Sequence, residues 1–368
     1  MSSGPQPGRR GFLKSLAAAP MLLAAPAAAL RPSPAAAQPT PVGGDLHSSA
    51  IVIDHACPLL TPEADEYIAK TRAGGETVAM ATVASNHDFR AAIDQITGWL
   101  ERFDRDPSLI HVTTVEDIYR AKREGKLGVG FHFQNSRPVE YDLRLLRVFH
   151  RLGVRVIQLT YNEKNPVGDG STERTDSGLS KYGRKMVEEM NRLGIVVDCS
   201  HVGYRTTMEA MEVSKLPVMF SHSNAYGVYP SKRNIKDDQI KALAKSGGVI
   251  GMNGFPGFVS KDSFVDKNRG PSLEQLLDHV DYIAKLVGTD YIGLGLDYSQ
   301  SNPEDYKRWG YEPDTYPMPP WHYPTGIDEV SKLASFTKGL KARGYSDADV
   351  RKILGENFIR VFKAVWKA

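Results

Sequence analysis

Short apolar runs rich in β-branched residues alternate with longer amphipathic stretches along most of this chain. Eight runs have the length and composition of buried strands: Ile51–Asp54, Thr77–Ser85, Leu127–Gln134, Val154–Tyr161, Ile195–Ser200, Pro217–Ser221, Gly248–Asn253 and Tyr291–Asp297. Amphipathic helices are predicted between them, among others at Asp88–Phe103, Tyr141–Leu152, Gly178–Leu193, Tyr204–Val213, Lys236–Lys245 and Ser272–Val287. The alternation predicts an α/β fold, the (β/α)8 TIM barrel.

The chain ends with further helical patterns, so the predicted barrel carries extra C-terminal helices at Asp328–Lys341, Ser346–Leu354 and Glu356–Ala364. Ser272-x-x-Gln275 and Thr114-x-x-Asp117 have the form of helix capping boxes. A doubly wound open sheet shares this rhythm and stays open as an alternative. No Gly-x-Gly-x-x-Gly follows the first strand, which counts against its dinucleotide-binding form. No linker or repeat divides residues 38–368, so we predict a single domain there.

The first 37 residues have the features of an export signal. Arg9-Arg10-Gly11-Phe12-Leu13-Lys14 precedes an apolar stretch, Ser15–Leu30, and Ala35-Ala36-Ala37 supplies the small residues of a cleavage site. The paired arginines indicate a twin-arginine signal. A retained membrane anchor is the alternative, but the apolar stretch is shorter than the roughly 20 residues that span a bilayer. We therefore expect the mature protein in the periplasm or outside the cell.

The composition and charge of the chain exclude some classes of binding partner. The chain is 41% hydrophobic and 24% charged, as is usual for soluble globular proteins. Its net charge of +3 comes from the signal, which holds four basic residues and no acid and leaves 42 basic against 43 acidic residues. This balance offers no electrostatic attraction for nucleic acid or an anionic membrane. With two cysteines, the chain is neither a disulfide scaffold nor a zinc ribbon.

Polar residues follow three predicted strands at their carboxyl ends, where active sites of such barrels lie. These ends read Asp198-Cys199-Ser200-His201, Ser221-His222-Ser223-Asn224 and Gly295-Leu296-Asp297. Two imidazoles and a carboxylate suit zinc and its neighbours, so we predict a divalent-metal site. The loop after the sixth strand carries Arg233-Asn234, which would clamp a substrate carboxylate. Hydrogen-bonded structural histidines, a helix-capping aspartate and a surface arginine are the alternatives.

These motifs, taken together and in order, resemble the membrane (renal) dipeptidase family. The resemblance covers nearly the whole mature chain and rests on the two histidine motifs, Arg233-Asn234, Gly293-Leu294-Gly295-Leu296-Asp297 and Gly355-Glu356-Asn357-Phe358-x-Arg360-Val361-Phe362. It implies a (β/α)8 barrel with a binuclear zinc site. The implied reaction is hydrolysis of dipeptides by metal-activated water, including dipeptides with a D-residue at the second position.

The resemblance also implies a role for individual residues. His201 and His222 match the two histidine ligands of one metal. Asp297 matches the aspartate that ligates the other metal and orients the water, and it would accept the proton of that water as general base. Arg233 matches the arginine that binds the substrate carboxylate, and Asn234 beside it is a further candidate for substrate contact.

Several family positions are altered in this chain. Asp54-His55-Ala56-Cys57-Pro58 stands where the family has Asp-Gly-His-x-Asp. The two metal-binding positions of that motif thus hold Ala56 and Pro58, neither of which binds metal. Gln134 replaces the bridging glutamate and lacks its negative charge, and Tyr161 replaces a histidine that contacts substrate.

In two interpretations of these altered positions, the protein still binds a metal ion. In the first, one zinc stays on the two histidines and is completed by Gln134 or Asp297. In the second, the site is rebuilt with replacement ligands. His132 shares a strand face with Gln134, and His55 and Cys57 follow the first strand, although His55 points to the wrong face unless that strand bulges. We expect one zinc per chain rather than two.

In the third interpretation the metal is gone, and the barrel is a non-catalytic or repurposed periplasmic protein that binds or matures amino-acid-like or peptide ligands. A fold does not determine a function, so all three interpretations stay open. In each, the expected partner is a small peptide or amino-acid-like molecule, and neither nucleic acid nor stable membrane insertion after signal cleavage is expected. A homodimer is left open.

Overall fold

The computed structural model describes residues 45–308 and 310–367, so the predicted signal at residues 1–37 lies outside the described residues. This part of the chain contains nine parallel strands: β1 (Ile53–Cys57), β2 (Val78–Ala84), β3 (Leu109–Val112), β4 (Leu127–Phe133), β5 (Val154–Gln158), β6 (Val196–Asp198), β7 (Met219–Phe220), β8 (Val249–Met252) and β9 (Ile292–Leu294).

Eight of these strands close into a barrel, which confirms the predicted (β/α)8 fold. β1 pairs with β2 on one side and with β9 on the other, and β2 pairs with β4 along its whole length. The remaining strand, β3, pairs with the first half of β4, whereas β5 takes the second half from Phe131 onward. Sequence analysis did not predict β3, because four residues show too little alternation to mark a strand.

The α-helices that surround the barrel are Leu46–Ser49, Asp65–Ala73, Phe89–Arg105, Val115–Glu124, Arg144–Arg151, Lys181–Leu193, Tyr204–Val213, Asp237–Ser246, Pro256–Val259, Asp262–Val265, Leu273–Val287, Pro303–Arg308, Ala334–Ala342, Asp347–Arg351 and Asn357–Val365. Both predicted capping boxes are present, Thr114 with Asp117 and Ser272 with Gln275. Among the described residues, no helix combines the length and the apolar character that a bilayer crossing requires.

Side chains inside the barrel change character from one end to the other. At the amino end, Val78, Val156 and Val249 join Phe358 and Phe362 of the last helix in one buried apolar cluster. The predicted C-terminal helix therefore closes the bottom of the barrel. Further along β4, β6 and β9, buried His132, Asp198 and Asp297 follow. Hence polar chemistry is confined to the carboxyl end, where the loops can shape a site.

Candidate active site

Three non-glycine residues beyond strand ends adopt a left-handed backbone. Asn162, His201 and Asp297 have φ values of +62°, +62° and +56°, and they follow β5, β6 and β9 respectively. Such conformations are uncommon for residues with a Cβ and cost on the order of 1–3 kcal/mol. They persist where the surrounding contacts hold them, and they cluster at functional sites. This places the strain at the same end of the barrel as the predicted site.

His201 and His222 lie side by side and are both almost fully buried. Their Nε2 atoms are 2.8 Å apart, and their rings meet edge to face with centroids separated by 4.8 Å. Burial, reinforced by the nearby charge of Arg233, holds the pKa of each imidazole well below its ordinary value. Both rings are therefore neutral at physiological pH, the form in which imidazole ligates a metal.

The tautomer of His201 follows from its neighbours. The amide nitrogen of Asn162 donates to the hydroxyl of Tyr316 at 2.7 Å, which turns the Asn162 amide oxygen toward His201. That oxygen accepts a hydrogen bond from Nδ1 of His201, also at 2.7 Å. Nδ1 therefore carries the hydrogen, and Nε2 of the neutral ring presents a lone pair.

The tautomer of His222 follows in the same way. The hydroxyl of Ser221 donates its single hydrogen to Oδ2 of Asp198 at 2.5 Å. It then accepts a hydrogen bond from Nδ1 of His222 at 2.6 Å. Nε2 of His222 consequently presents a lone pair as well. Two lone pairs that face each other across 2.8 Å repel unless a cation or a proton lies between them.

His132 and His55 continue this row of rings into the barrel. Nε2 of His132 bonds Asp198 at 3.0 Å, and its ring lies 6.4 Å from that of His222 and 4.9 Å from that of His55. His55 faces inward because β1 contains the bulge that the prediction required, between His55 and Cys57, with Ala56 at φ +92°. Two of the three predicted replacement ligands thus lie inside the barrel.

Cys57 lies apart from the histidine pair, and its role as a replacement ligand stays a prediction. Beyond the bulge its side chain joins the apolar layer outside β1 and contacts the Asp54 carbonyl oxygen at 3.6 Å. Its sulfur lies within 4.8 Å of carboxylate oxygens of Asp54 and Glu76. The bulge is the physical reason, since it allows His55 to face inward and Cys57 to face outward.

Asp297 provides a buried carboxyl at the mouth of the barrel. Burial raises its pKa to about 7, although the charge of Arg233 and a hydrogen bond from Gln134 oppose this rise. The Gln134 amide nitrogen lies 3.5 Å from Oδ1 of Asp297, so Gln134 is inside the site, and its role as a metal ligand stays a prediction. This carboxyl exchanges a proton close to neutral pH.

Arg233 is only 3% exposed, yet its Nε and Nη2 atoms have no hydrogen-bond partner. Its guanidinium lies 5.0 Å above the ring of Phe258, which fixes its orientation. Asn234 donates its amide hydrogens to the backbone oxygens of Tyr229 and Phe258, both at 2.8 Å, and so holds the loop that carries Arg233. Substrate contact by Asn234 stays a prediction.

A cavity of about 340 Å³ is lined by Gln134, Tyr161, His201 and Asp297 among other residues. Arg233 and Asn234 line a neighbouring cavity, which His201 also borders. Tyr161 stacks on His201 with ring centroids 4.1 Å apart, and its hydroxyl lies 2.8 Å from that of Tyr311. Aromatic residues of the loop after β9 complete the wall: Tyr311, Tyr316 and Trp321. Sequence analysis assigned no role to these three aromatic residues, although their density in that loop was a usable signal.

Comparison with known proteins identifies the family of this chain. A family model described as membrane dipeptidase, peptidase family M19, matches residues 67–368. The chain belongs to this family. The matched region begins beyond β1, the strand in which the family's metal-binding motif is replaced. The M19 resemblance predicted from the sequence is thereby confirmed, and membership of a metallopeptidase family implies a metal such as zinc.

The relatives agree with this assignment. The chain is 32% identical to the dipeptidase tcpJ of Claviceps purpurea over 284 residues, 77% of this chain and 61% of the relative. It is 33% identical over 258 residues to an uncharacterized dipeptidase, C965.12, of Schizosaccharomyces pombe, 68% of this chain and 56% of the relative. The chain thus spans about three fifths of the length of these relatives. A solved amidohydrolase structure from Pseudomonas aeruginosa superposes with a TM-score of 0.79 at 35% identity, covering 87% of this chain and 98% of that one.

The donor set of this M19 member fits one metal ion at the histidine pair. Two neutral Nε2 lone pairs converge, and each Nδ1 is held by a second residue, as is usual for metal-ligating histidines. No charged ligand of the family motif remains on β1. Among the described residues, three His, Cys, Asp or Glu ligand atoms within 4.8 Å of one another occur only at Asp54, Cys57 and Glu76. Within the described part of the chain, His201 and His222 therefore have no third His, Cys, Asp or Glu ligand atom within 4.8 Å of theirs.

Proposed function

We propose that this chain is a zinc-dependent dipeptidase that works with one metal ion at His201 and His222. The convergence of their two Nε2 lone pairs carries the proposal, because neutral rings in this arrangement need a cation or a proton between them, and a metal ion supplies that positive charge while both rings stay neutral. Zinc, when bound, lowers the pKa of water and polarises the scissile carbonyl group. Asp297 and Gln134 line the same cavity and are the candidates to complete the coordination.

The remaining roles belong to side chains around His201, which borders both the cavity with Asp297 and the cavity with Arg233. The unpartnered Nε and Nη2 donors of Arg233 suit the terminal carboxylate of a dipeptide, which they would bind in a bidentate pair. Asp297, with a pKa of about 7, accepts a proton from water as it attacks the carbonyl carbon and returns it to the leaving amine. The stacked Tyr161 and the aromatic wall exclude bulk water and limit the substrate to a short peptide.

Hydrolysis and metal content of the mature chain, residues 38–368, test this proposal. We expect about one zinc per chain at His201 and His222 and turnover of dipeptides, for which L-Ala-L-Ala and L-Ala-D-Ala are the test substrates. His201→Ala should lose that zinc and the activity together, whereas His322→Ala, at an exposed histidine, should lose neither. Dipeptide binding that persists in chelator without turnover would instead support the repurposed binding protein.

We also propose that the protein is exported by the twin-arginine route and acts on small peptides in the periplasm or outside the cell. The support is the Arg9-Arg10-Gly11-Phe12-Leu13-Lys14 sequence before the apolar stretch and the cleavage motif. Fractionation of cells that express the full chain tests this. Replacement of both arginines by lysine should retain the precursor in the cytoplasm, and unchanged export of that variant would contradict the proposal.

A further inference from the structure

Three ligand-bearing side chains meet on the outer side of β1, away from the histidine pair. Asp54 lies on β1, Cys57 ends that strand, and Glu76 precedes β2. One ligand atom from each lies within 4.8 Å of the other two, and all three residues are at most 6% exposed. We call this group the β1 cluster.

The hydrogen bonding of the β1 cluster is incomplete. Oδ1 of Asp54 accepts from the Leu296 amide at 2.8 Å, but Oδ2 has no partner. Glu76 has no partner for either carboxylate oxygen. Buried polar atoms are almost always hydrogen-bonded, and a buried carboxylate needs a counter-charge. Three oxygen atoms of two buried carboxyl groups therefore have no hydrogen-bond partner within the protein. They indicate that a bound ligand occupies this position.

The ionisable side chains of the β1 cluster are all acids, so each disfavours the charged form of the others. Burial, and after it the charge of Asp54, raises the pKa of Glu76 well above its ordinary value. Burial likewise raises the pKa of the Cys57 thiol, and Asp54 and Glu76 add to this rise. Tyr67 and Tyr298 lie beside the cluster and are neutral hydroxyls. A bound cation would reverse these shifts and deprotonate the thiol.

We propose that Asp54, Cys57 and Glu76 bind a divalent cation of zinc's class at a site separate from the His201–His222 pair. A thiolate and two carboxylates suit zinc better than calcium or magnesium, which take oxygen ligands alone. The role is structural, because none of the three side chains lines the cavity that holds His201 and Asp297. Through the bond from Asp54 to the Leu296 amide, the cation would steady the backbone that precedes Asp297.

Cobalt bound at the β1 cluster can be distinguished from cobalt at the histidine pair by its absorption spectrum, because the histidine pair includes no thiolate. Protein produced in cobalt-supplemented minimal medium should show thiolate-to-cobalt charge-transfer absorption in the near ultraviolet. Cys57→Ser should abolish that band, whereas Cys199→Ser, at the other buried free cysteine, should keep it. His201→Ala should also keep the band. The band thus reports on the β1 cluster even if the proposed catalytic metal proves wrong.

Metal content provides the second measurement. We expect about two zinc ions per wild-type chain, one of which is lost in Glu76→Gln and the other in His201→Ala. If Cys57→Ser fails to fold, Glu76→Gln decides, because it preserves the shape of the side chain. Absence of the charge-transfer band in wild-type protein, its survival in Cys57→Ser, or an unchanged metal content in folded Glu76→Gln would each overturn the proposal. Those results would mean that the two carboxyl groups share a proton instead.

Discussion

The hydroxyl of Ser221 lies 2.6 Å from Nδ1 of His222 and accepts its hydrogen, while it donates to Asp198. This contact fixes the tautomer in which His222 presents its Nε2 lone pair to His201. Partners of this kind orient metal-ligating histidines and usually contribute a factor of about 10–100 in metal affinity.

Ser221→Ala should therefore weaken zinc binding about 10–100-fold without removing a ligand. Ser223→Ala is the matched control, because the Ser223 hydroxyl makes a long hydrogen bond of 3.5 Å to the Ser200 hydroxyl and does not hold a histidine. Competition with a chromophoric chelator measures both affinities. Equal affinities in the two variants would show that Ser221 does not orient the ligand.

Arg233→Gln should raise KM by roughly 10–100-fold, because a hydrogen bond to a charged group contributes about 1.5–3 kcal/mol. The maximal rate should change less, since the arginine binds a part of the dipeptide away from the reacting carbonyl group. Lys232→Gln removes a neighbouring positive charge that is engaged with Asp314 at 2.6 Å, and its KM should stay at the wild-type value. Steady-state kinetics with one dipeptide compares them, and a normal KM in Arg233→Gln would contradict carboxylate binding.

Asp297→Asn keeps the size of the side chain and removes its ability to accept a proton. General base catalysis typically contributes a factor of about 10²–10⁴, so kcat should fall by that range. The control is Asp314→Asn, an exposed carboxylate paired with Lys232. Zinc content should be measured in the same samples, because a lost metal would also lower kcat. A wild-type rate in zinc-loaded Asp297→Asn would exclude Asp297 as the base.

The stability of the fold should fall in mild acid because of His279. Its ring accepts from the Ala225 amide and donates to the Val259 oxygen, and burial lowers its pKa from 6.5 to about 4. Below pH 6.5 the His279 ring therefore binds a proton in the unfolded chain, whereas in the native chain it stays neutral down to about pH 4. The free energy of unfolding should decrease as pH falls from about 6.5 toward 4, by about 2 kcal/mol between pH 7 and 5.

Urea denaturation at pH 7 and pH 5 measures this contribution. His279→Gln should lose less stability than wild type over that interval, whereas His322→Gln, at an exposed site, should behave like wild type. If His279→Gln and wild type lose the same amount, the proton uptake belongs to other groups.

Much of the barrel was predictable, but its details were not. The apolar runs from Leu127 and from Val154 identified β4 and β5, because buried parallel strands need continuous apolar sequence. The strand β3 was not predicted, because it is short and pairs with only the first half of β4. The position of β1 was also shifted, from a predicted start at Ile51 to Ile53, and its bulge reversed the expected direction of His55.

By itself, the sequence determined the fold class, the carboxyl-end location of the site and the family, because alternation and short motifs are local properties of the chain. Tertiary structure alone decided which polar groups face each other. The lone-pair alignment of His201 and His222 depends on Asn162 and Asp198, which belong to other strands and loops. The meeting of Asp54, Cys57 and Glu76 depends on a bulge and on the pairing of two strands. Contacts between residues distant in sequence arise from packing, and no local pattern records them.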